Sequence, residues 1–86
     1  MGGMFSRCKS LININLSNFN TQNVENMSYI FNRCESLTNI NLSNFNTQNV
    51  KKICYMFNRC ESLKKEFIIT KDNKILEEFN LLNKFV

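Results

Sequence analysis

From Leu11 to Phe19 apolar and polar residues alternate: Ile14 and Leu16 against Asn13 and Asn15, with Leu11 before them and Phe19 after. A period of two puts one set of side chains on a packed face and the other in water, so this spacing predicts a short strand with one wet face. Leu11, Ile14, Leu16 and Phe19 are expected to point inward. From Val24 the spacing changes. Val24, Met27, Phe31 and Cys34 recur at intervals of three and four, which predicts one stripe of a short helix running to about Arg33. Thr21 or Asn23 would cap its free N–H groups. Both patterns then return, the second stripe being Val50, Ile53, Phe57 and Cys60 with Asn49 as its cap.

The return is a repeat of 26 residues. Phe5, Phe31 and Phe57 fall on one position, as do Arg7, Arg33 and Arg59, and Cys8, Cys34 and Cys60; the stretch from Asn13 to Val24 is spelled again from Asn39 to Val50. Self-similarity at such a period is the signature of a chain whose units bury their apolar sides against one another. We divide the chain into an N-terminal remnant (1–3), repeat 1 (4–29), repeat 2 (30–55), a degenerate third repeat (56–70) and a C-terminal cap (71–86), all within a single domain. The fold class expected is an α/β repeat: a short leucine-rich-repeat-like solenoid with a parallel sheet on one side, short helices on the other and a C-terminal capping helix. At the end of the third repeat, Phe67–Thr70 reads as a last strand. Residues 73–85 read as the helix, with Ile75, Leu76, Phe79, Leu82, Phe85 and Val86 inward and Glu77, Glu78, Asn80, Asn83 and Lys84 wet. The other end shows no comparable cap. Two and a half units fall short of the roughly three that such arrays need, so the chain reads as a piece of a longer array, a degenerate copy or a partner-stabilised piece.

The chain holds sixteen Asn. Stacked units sit about 4.8 Å apart, close enough for side-chain amides to bond from one unit to the next. The expected columns are Asn13/Asn39, Asn15/Asn41, Asn18/Asn44, Asn20/Asn46 and Asn23/Asn49. Asn also suits turns.

The strand half, L-x-x-I-x-L-x-x-F, resembles the leucine-rich-repeat pattern. The two full units, SLININLSNFNTQNVENMSYIFNRC and SLTNINLSNFNTQNVKKICYMFNRC, resemble the repeat of BspA-type leucine-rich-repeat surface proteins across Met4–Leu63. Asn stands where that family usually has Asp in the linker, Lys52-Ile53-Cys54 departs from its pattern, and residues 64–86 do not match. The resemblance implies a secreted or cell-surface protein of adhesion type and brings no active site.

Composition narrows the chemistry. There is no His, and both glycines precede the first unit, so neither a histidine base nor a glycine-rich phosphate loop is available. Glu25, Glu35, Glu61, Glu66, Asp72, Glu77 and Glu78 form no acid–base set, and no residues combine as nucleophile, base and orienter; an enzyme is not expected. Cysteines 26 residues apart lack the close pairs of a zinc site. An inward column is expected for Cys8, Cys34 and Cys60, with a disulfide between neighbouring units sterically open and Cys54 at the surface. No cofactor and no metal are expected. Net charge is +4. The arginine column could meet nucleic acid or an acidic glycan, but Glu35 and Glu61 lie two residues away and no base-stacking aromatics accompany it, so we expect a solvated edge and no nucleic-acid partner. Tyr29 and Tyr55 read as packing. Asn15-Leu16-Ser17, Asn26-Met27-Ser28 and Asn41-Leu42-Ser43 match the glycosylation acceptor pattern, which chance supplies in so Asn-rich a chain. No apolar run approaches the roughly 20 residues of a membrane span.

The function expected is a non-enzymatic interaction module that binds a protein or glycan through the outward face of the sheet: Asn13, Asn15, Thr38, Asn39, Asn41, Lys64 and Lys65. Ile12 and Phe67 lie in the same outward rows. Further repeats or self-association are open at the ends. The alternative is a structural spacer in a longer array, with no ligand of its own.

Overall fold

The computed structural model describes residues 2–83, with side chains through Leu81. Three short parallel strands, β1 (Asn13–Asn15), β2 (Asn39–Asn41) and β3 (Ile68–Ile69), form one sheet in the order β1-β2-β3, and a helix, α1 (Asn73–Asn83), follows. The described residues thus make a small α/β unit with a three-stranded parallel sheet and one C-terminal helix. β1 and β2 pair with Asn13 opposite Asn39 and Asn15 opposite Asn41, the register the repeat predicts. Lys84, Phe85 and Val86, and the side chain of Leu82, which the sequence places in the helix, lie outside the described residues.

Equivalent side chains sit one above another. The rings of Phe5, Phe31 and Phe57 stack with centroids 5.8 Å apart at both junctions, and Phe79 of α1 closes the column edge-on at 5.6 Å. Around it the second unit is sealed: Phe31, Cys34, Leu37 and Leu42 have no exposure at all. The first unit is not. Phe5, Cys8, Leu11 and Ile14 are half-buried, and Phe19, expected inward, is 38 % exposed against 5 % for its counterpart Phe45. The difference is position in the stack: the second unit has a neighbour on each side, the first on one.

The segments 24–33 and 50–59 are not helices, which corrects the expectation from spacing. The predicted stripe does face inward, but the backbone is a run of turns. Tyr29 and Arg33 adopt φ of 60° and 63°, and Tyr55 and Arg59 repeat this at 60° and 60°. Left-handed residues four positions apart interrupt any α-helix. The backbone hydrogen bonds go between units instead. Met27, Tyr29, Phe31 and Arg33 N–H donate to the carbonyls of Lys52, Cys54, Met56 and Asn58 at 2.7–3.3 Å, and Gly3, Phe5 and Arg7 donate to Ser28, Ile30 and Asn32 at 2.6–3.0 Å. Every second amide of the segment is spent this way, so the segment behaves as a second, irregular ladder opposite the sheet. Gly3 holds the left-handed place of Tyr29 and Tyr55, at φ 72°, where glycine pays no steric cost.

The asparagines also depart from expectation. Only Asn13/Asn39 forms an amide-to-amide rung among the five predicted columns, Asn39 Nδ2 donating to Asn13 Oδ1 at 2.8 Å. Asn15 and Asn41 turn their Oδ1 back onto the N–H of Ser17 and Ser43, and Asn20 and Asn46 onto Gln22 and Gln48, at 2.8–3.0 Å. Asn44 and Asn49 reach the carbonyls of Ser17 and Gln22 in the unit before. An amide two residues from an unpaired N–H closes a local turn more readily than it reaches a neighbouring unit. A further rung went unforeseen, Asn58 Nδ2 to Asn32 Oδ1 at 2.9 Å. Thr21 does not cap a helix; its buried hydroxyl accepts from Asn46 N–H at 2.8 Å and donates to Asn46 O at 3.1 Å, tying two units together.

Candidate binding face

The sheet carries the outward rows from which a partner site was expected. Ile14, Ile40 and Ile68 alternate inward, which leaves Asn13, Asn15, Asn39, Phe67 and Ile69 exposed and Asn41 half-buried. These residues, with Glu66, line a shallow groove of about 460 Å³ across the strands. Asn39 is held in it from two sides, since its Nδ2 also donates to Thr38 Oγ1 at 3.2 Å, and Thr38 Oγ1 donates to Ile12 O at 3.3 Å.

Lys64 and Lys65 are exposed but do not line the groove. β3 pairs with β2 at an offset of 28 residues, Ile40 opposite Ile68 and Asn41 opposite Ile69, where the first two strands keep 26. The extra residues are taken up in a 3₁₀ turn over Lys65–Phe67. Carrying the 28-residue offset back puts Glu66 and Phe67 beside Thr38 and Asn39, the places the 26-residue repeat gave to Lys64 and Lys65. The corner expected to be basic is therefore acidic and apolar. Glu66 was the available signal: the 26-residue period gives it the inward place of Ile14 and Ile40, which a carboxylate does not suit, and a slip of two keeps the facing while putting Ile68 there.

The remaining candidates are dispersed. Arg7, Arg33 and Arg59 do align, but at left-handed backbone sites, with Arg7 and Arg33 N–H donating to the following unit. The ion pair formed among the described residues is Lys51 with Glu25, exposed and at 3.8 Å, a contact worth little in water.

The cysteine column does form, with every thiol free. Cys34 Sγ donates to Phe5 O at 3.1 Å and Cys60 Sγ to Phe31 O at 3.0 Å. Burial pushes the Cys60 thiol from 9.0 up to about 12, with Cys34 nearby adding to the push, and burial likewise raises Cys34. The thiolate is the reactive form. A thiol reagent at neutral pH is therefore expected to label exposed Cys54 first and to leave Cys34 and Cys60 intact until the chain unfolds, as mass spectrometry of the labelled peptides would read. The same shifts set an alkaline limit. The folded state holds these protons more tightly than the unfolded one, so their contribution is complete below about pH 9 and lost as pH rises toward about 12. Urea midpoints that stay flat across that window would contradict it.

The family described as Mycoplasma protein of unknown function, DUF285, matches residues 1–83. The chain belongs to the DUF285 family. The DUF285 match continues past the repeats to the end of α1, so the helix that covers the last unit is part of the family pattern and not an appendage to it. No curated protein and no solved structure matches the chain. Among the described residues no helix is long and apolar enough to cross a membrane.

Proposed function

We propose that this DUF285 chain is a non-enzymatic interaction module of a cell-surface, adhesion-type protein, a short solenoid of the BspA-like leucine-rich-repeat kind that binds a protein partner through its sheet face. The surface location and the BspA-like assignment rest on the repeat resemblance. The binding face rests on one observation: Phe67 and Ile69 stand 47 % and 56 % exposed in the groove that also holds the Asn13–Asn39 rung. Large apolar side chains beside fixed amides form the apolar core and polar edge that protein interfaces use.

The decisive variants are Phe67→Ser and Asn13→Ala, assayed for binding to immobilised extracellular-matrix proteins. Each is expected to weaken binding by roughly tenfold, the size of a modest interface anchor, with an unchanged circular-dichroism spectrum. Asn15→Ala and Asn41→Ala should instead lower stability by about 0.5–1.5 kcal/mol each, since each amide serves a backbone N–H. Binding confined to glycan arrays would replace the protein partner with a carbohydrate. Blanks against both would leave the spacer role.

A further inference from the structure

The two ends of the stack differ in kind. At the C-terminal end, side chains of the cap stand in for a missing unit. Tyr55 N–H, whose counterpart Tyr29 donates to the next unit, donates to Glu78 Oε1 at 3.0 Å. Thr47, whose counterpart Thr21 is held by Asn46, is held by Asp72, and Lys74 Nζ donates to Val50 O at 3.1 Å. Phe79 covers the Phe57 ring.

The N-terminal end has none of this among the described residues. From Met27 to Arg33, and likewise from Gly3 to Arg7, the inter-unit bonds run one way: the N–H belongs to the earlier unit and the C=O to the later; where the segment begins the direction reverses, Lys51 and Lys52 N–H donating to Glu25 O. Along the Gly2–Ser6 stretch the first unit consequently offers a row of acceptors. The carbonyls of Gly2, Met4 and Ser6 occupy the places of Ser28, Ile30 and Asn32, each of which accepts from the unit before it. Beside this row lie the open face of the Phe5 ring and the half-buried Cys8 and Ile14, whose counterparts Phe31, Cys34 and Ile40 are sealed at 0 %, 0 % and 1 % exposure.

We infer that this face is a docking surface for one more 26-residue unit of the same pattern. The occupant must present N–H donors at every second residue, an aromatic ring over Phe5 and an apolar strand beside β1, and a repeat unit presents all three from its C-terminal side. A second copy of the chain does not. Its donor side is closed by Asp72, Glu78 and Phe79, and two N-terminal faces brought together would set no matching row of N–H groups against the carbonyls of Gly2, Met4 and Ser6. The inference rests on the solenoid reading above and adds to it a polarity: growth from one end only.

The test joins a copy of residues 30–55 directly ahead of Met4, so that the copied Tyr55 leads into Met4 as Tyr29 leads into Ile30 and native Tyr55 into Met56. Cys54 and the cysteines of the copy are replaced by Ser, leaving half-buried Cys8 as the reporter thiol. Cys8 alkylation should slow by about tenfold or more, and alternate amides of the added turn segment should become protected from hydrogen exchange. Carrying Phe31→Ser within the added copy should undo much of both effects. Unchanged Cys8 labelling with an unprotected copy overturns the inference. So does sedimentation showing the parent chain to be a dimer that the added unit converts to monomer, since a second copy would then be the occupant. Fast exchange of the parent's own Phe5 and Phe31 amides would instead bring down the stacked reading itself, and the two failures are told apart by that measurement.

Discussion

Phe31→Ala should cost about 3–5 kcal/mol, the range for emptying a buried phenylalanine site, while Phe5→Ala should cost only ~1–2 kcal/mol, as fits a partly exposed ring. The two residues share a repeat position and stack on each other, and differ in what lies on the far side. Phe31 has no exposure and rings stacked on both faces at interplanar angles of 5° and 11°. Phe5 has one ring neighbour and is half-buried. A chain of 86 residues is stabilised by about 4–13 kcal/mol in total at typical values per residue, so the Phe31 variant is expected to lose a large share of its stability. Urea titrations followed by circular dichroism measure both. Equal losses at the two positions would mean that the column does not transmit packing from unit to unit and that each phenylalanine sits in a separate environment.

The same column marks what can be read from the sequence alone. A period of 26 fixes which residues lie over which, and the stacking of Phe5, Phe31 and Phe57, the β1–β2 register and the inward cysteines follow from it with no knowledge of backbone conformation. Conformation within a unit is less legible. Val24, Met27, Phe31 and Cys34 have a helical spacing because each must reach one core, and a chain of turns with left-handed residues at Tyr29 and Arg33 meets that demand equally well. Neither Tyr nor Arg announces a left-handed site. What holds them there is the ladder to the next unit, a tertiary interaction that local spacing does not encode. The face proposed for binding was half legible for a related reason. Asn13, Asn15, Asn39 and Asn41 were placed on it by the exact repeat, while Glu66 and Ile69 came to it through a two-residue slip in the degenerate third unit, where the period no longer constrains the chain.

Asparagine shows how one composition serves several physical ends. Stacking alone suggests ladders, and Asn13/Asn39 and Asn32/Asn58 form them where the side chains project from facing backbones at like heights. At the corners after each strand the nearer claim is local. Ser17 and Ser43 N–H lie two residues on, and the amide oxygens of Asn15 and Asn41 take them. Identical residues in identical units thus divide between joining units and shaping one, according to which unpaired group is closest.

Asp72 is the place where the shape of the last unit and the start of the helix depend on one side chain, and Asp72→Ala should cost about 2–4 kcal/mol. As the residue before α1, it accepts from Lys74 N–H at 2.9 Å and Ile75 N–H at 3.3 Å, a helix cap worth ~1 kcal/mol. It also receives Thr47 N–H and the Thr47 hydroxyl at 2.8–2.9 Å. Thr47 is 8 % exposed, so removing the carboxylate leaves two buried donors without their acceptor, at about 1–3 kcal/mol for such a group. Asp72→Asn keeps one oxygen and should recover roughly half the loss. A cap that acted on the helix alone would show the two substitutions separated by little and would leave exchange at Thr47 unchanged. If Asp72 stands in for a missing unit, Asp72→Ala must speed exchange of the Thr47 amide as well as those of Lys74 and Ile75, because all three donate to the one carboxylate that the substitution removes.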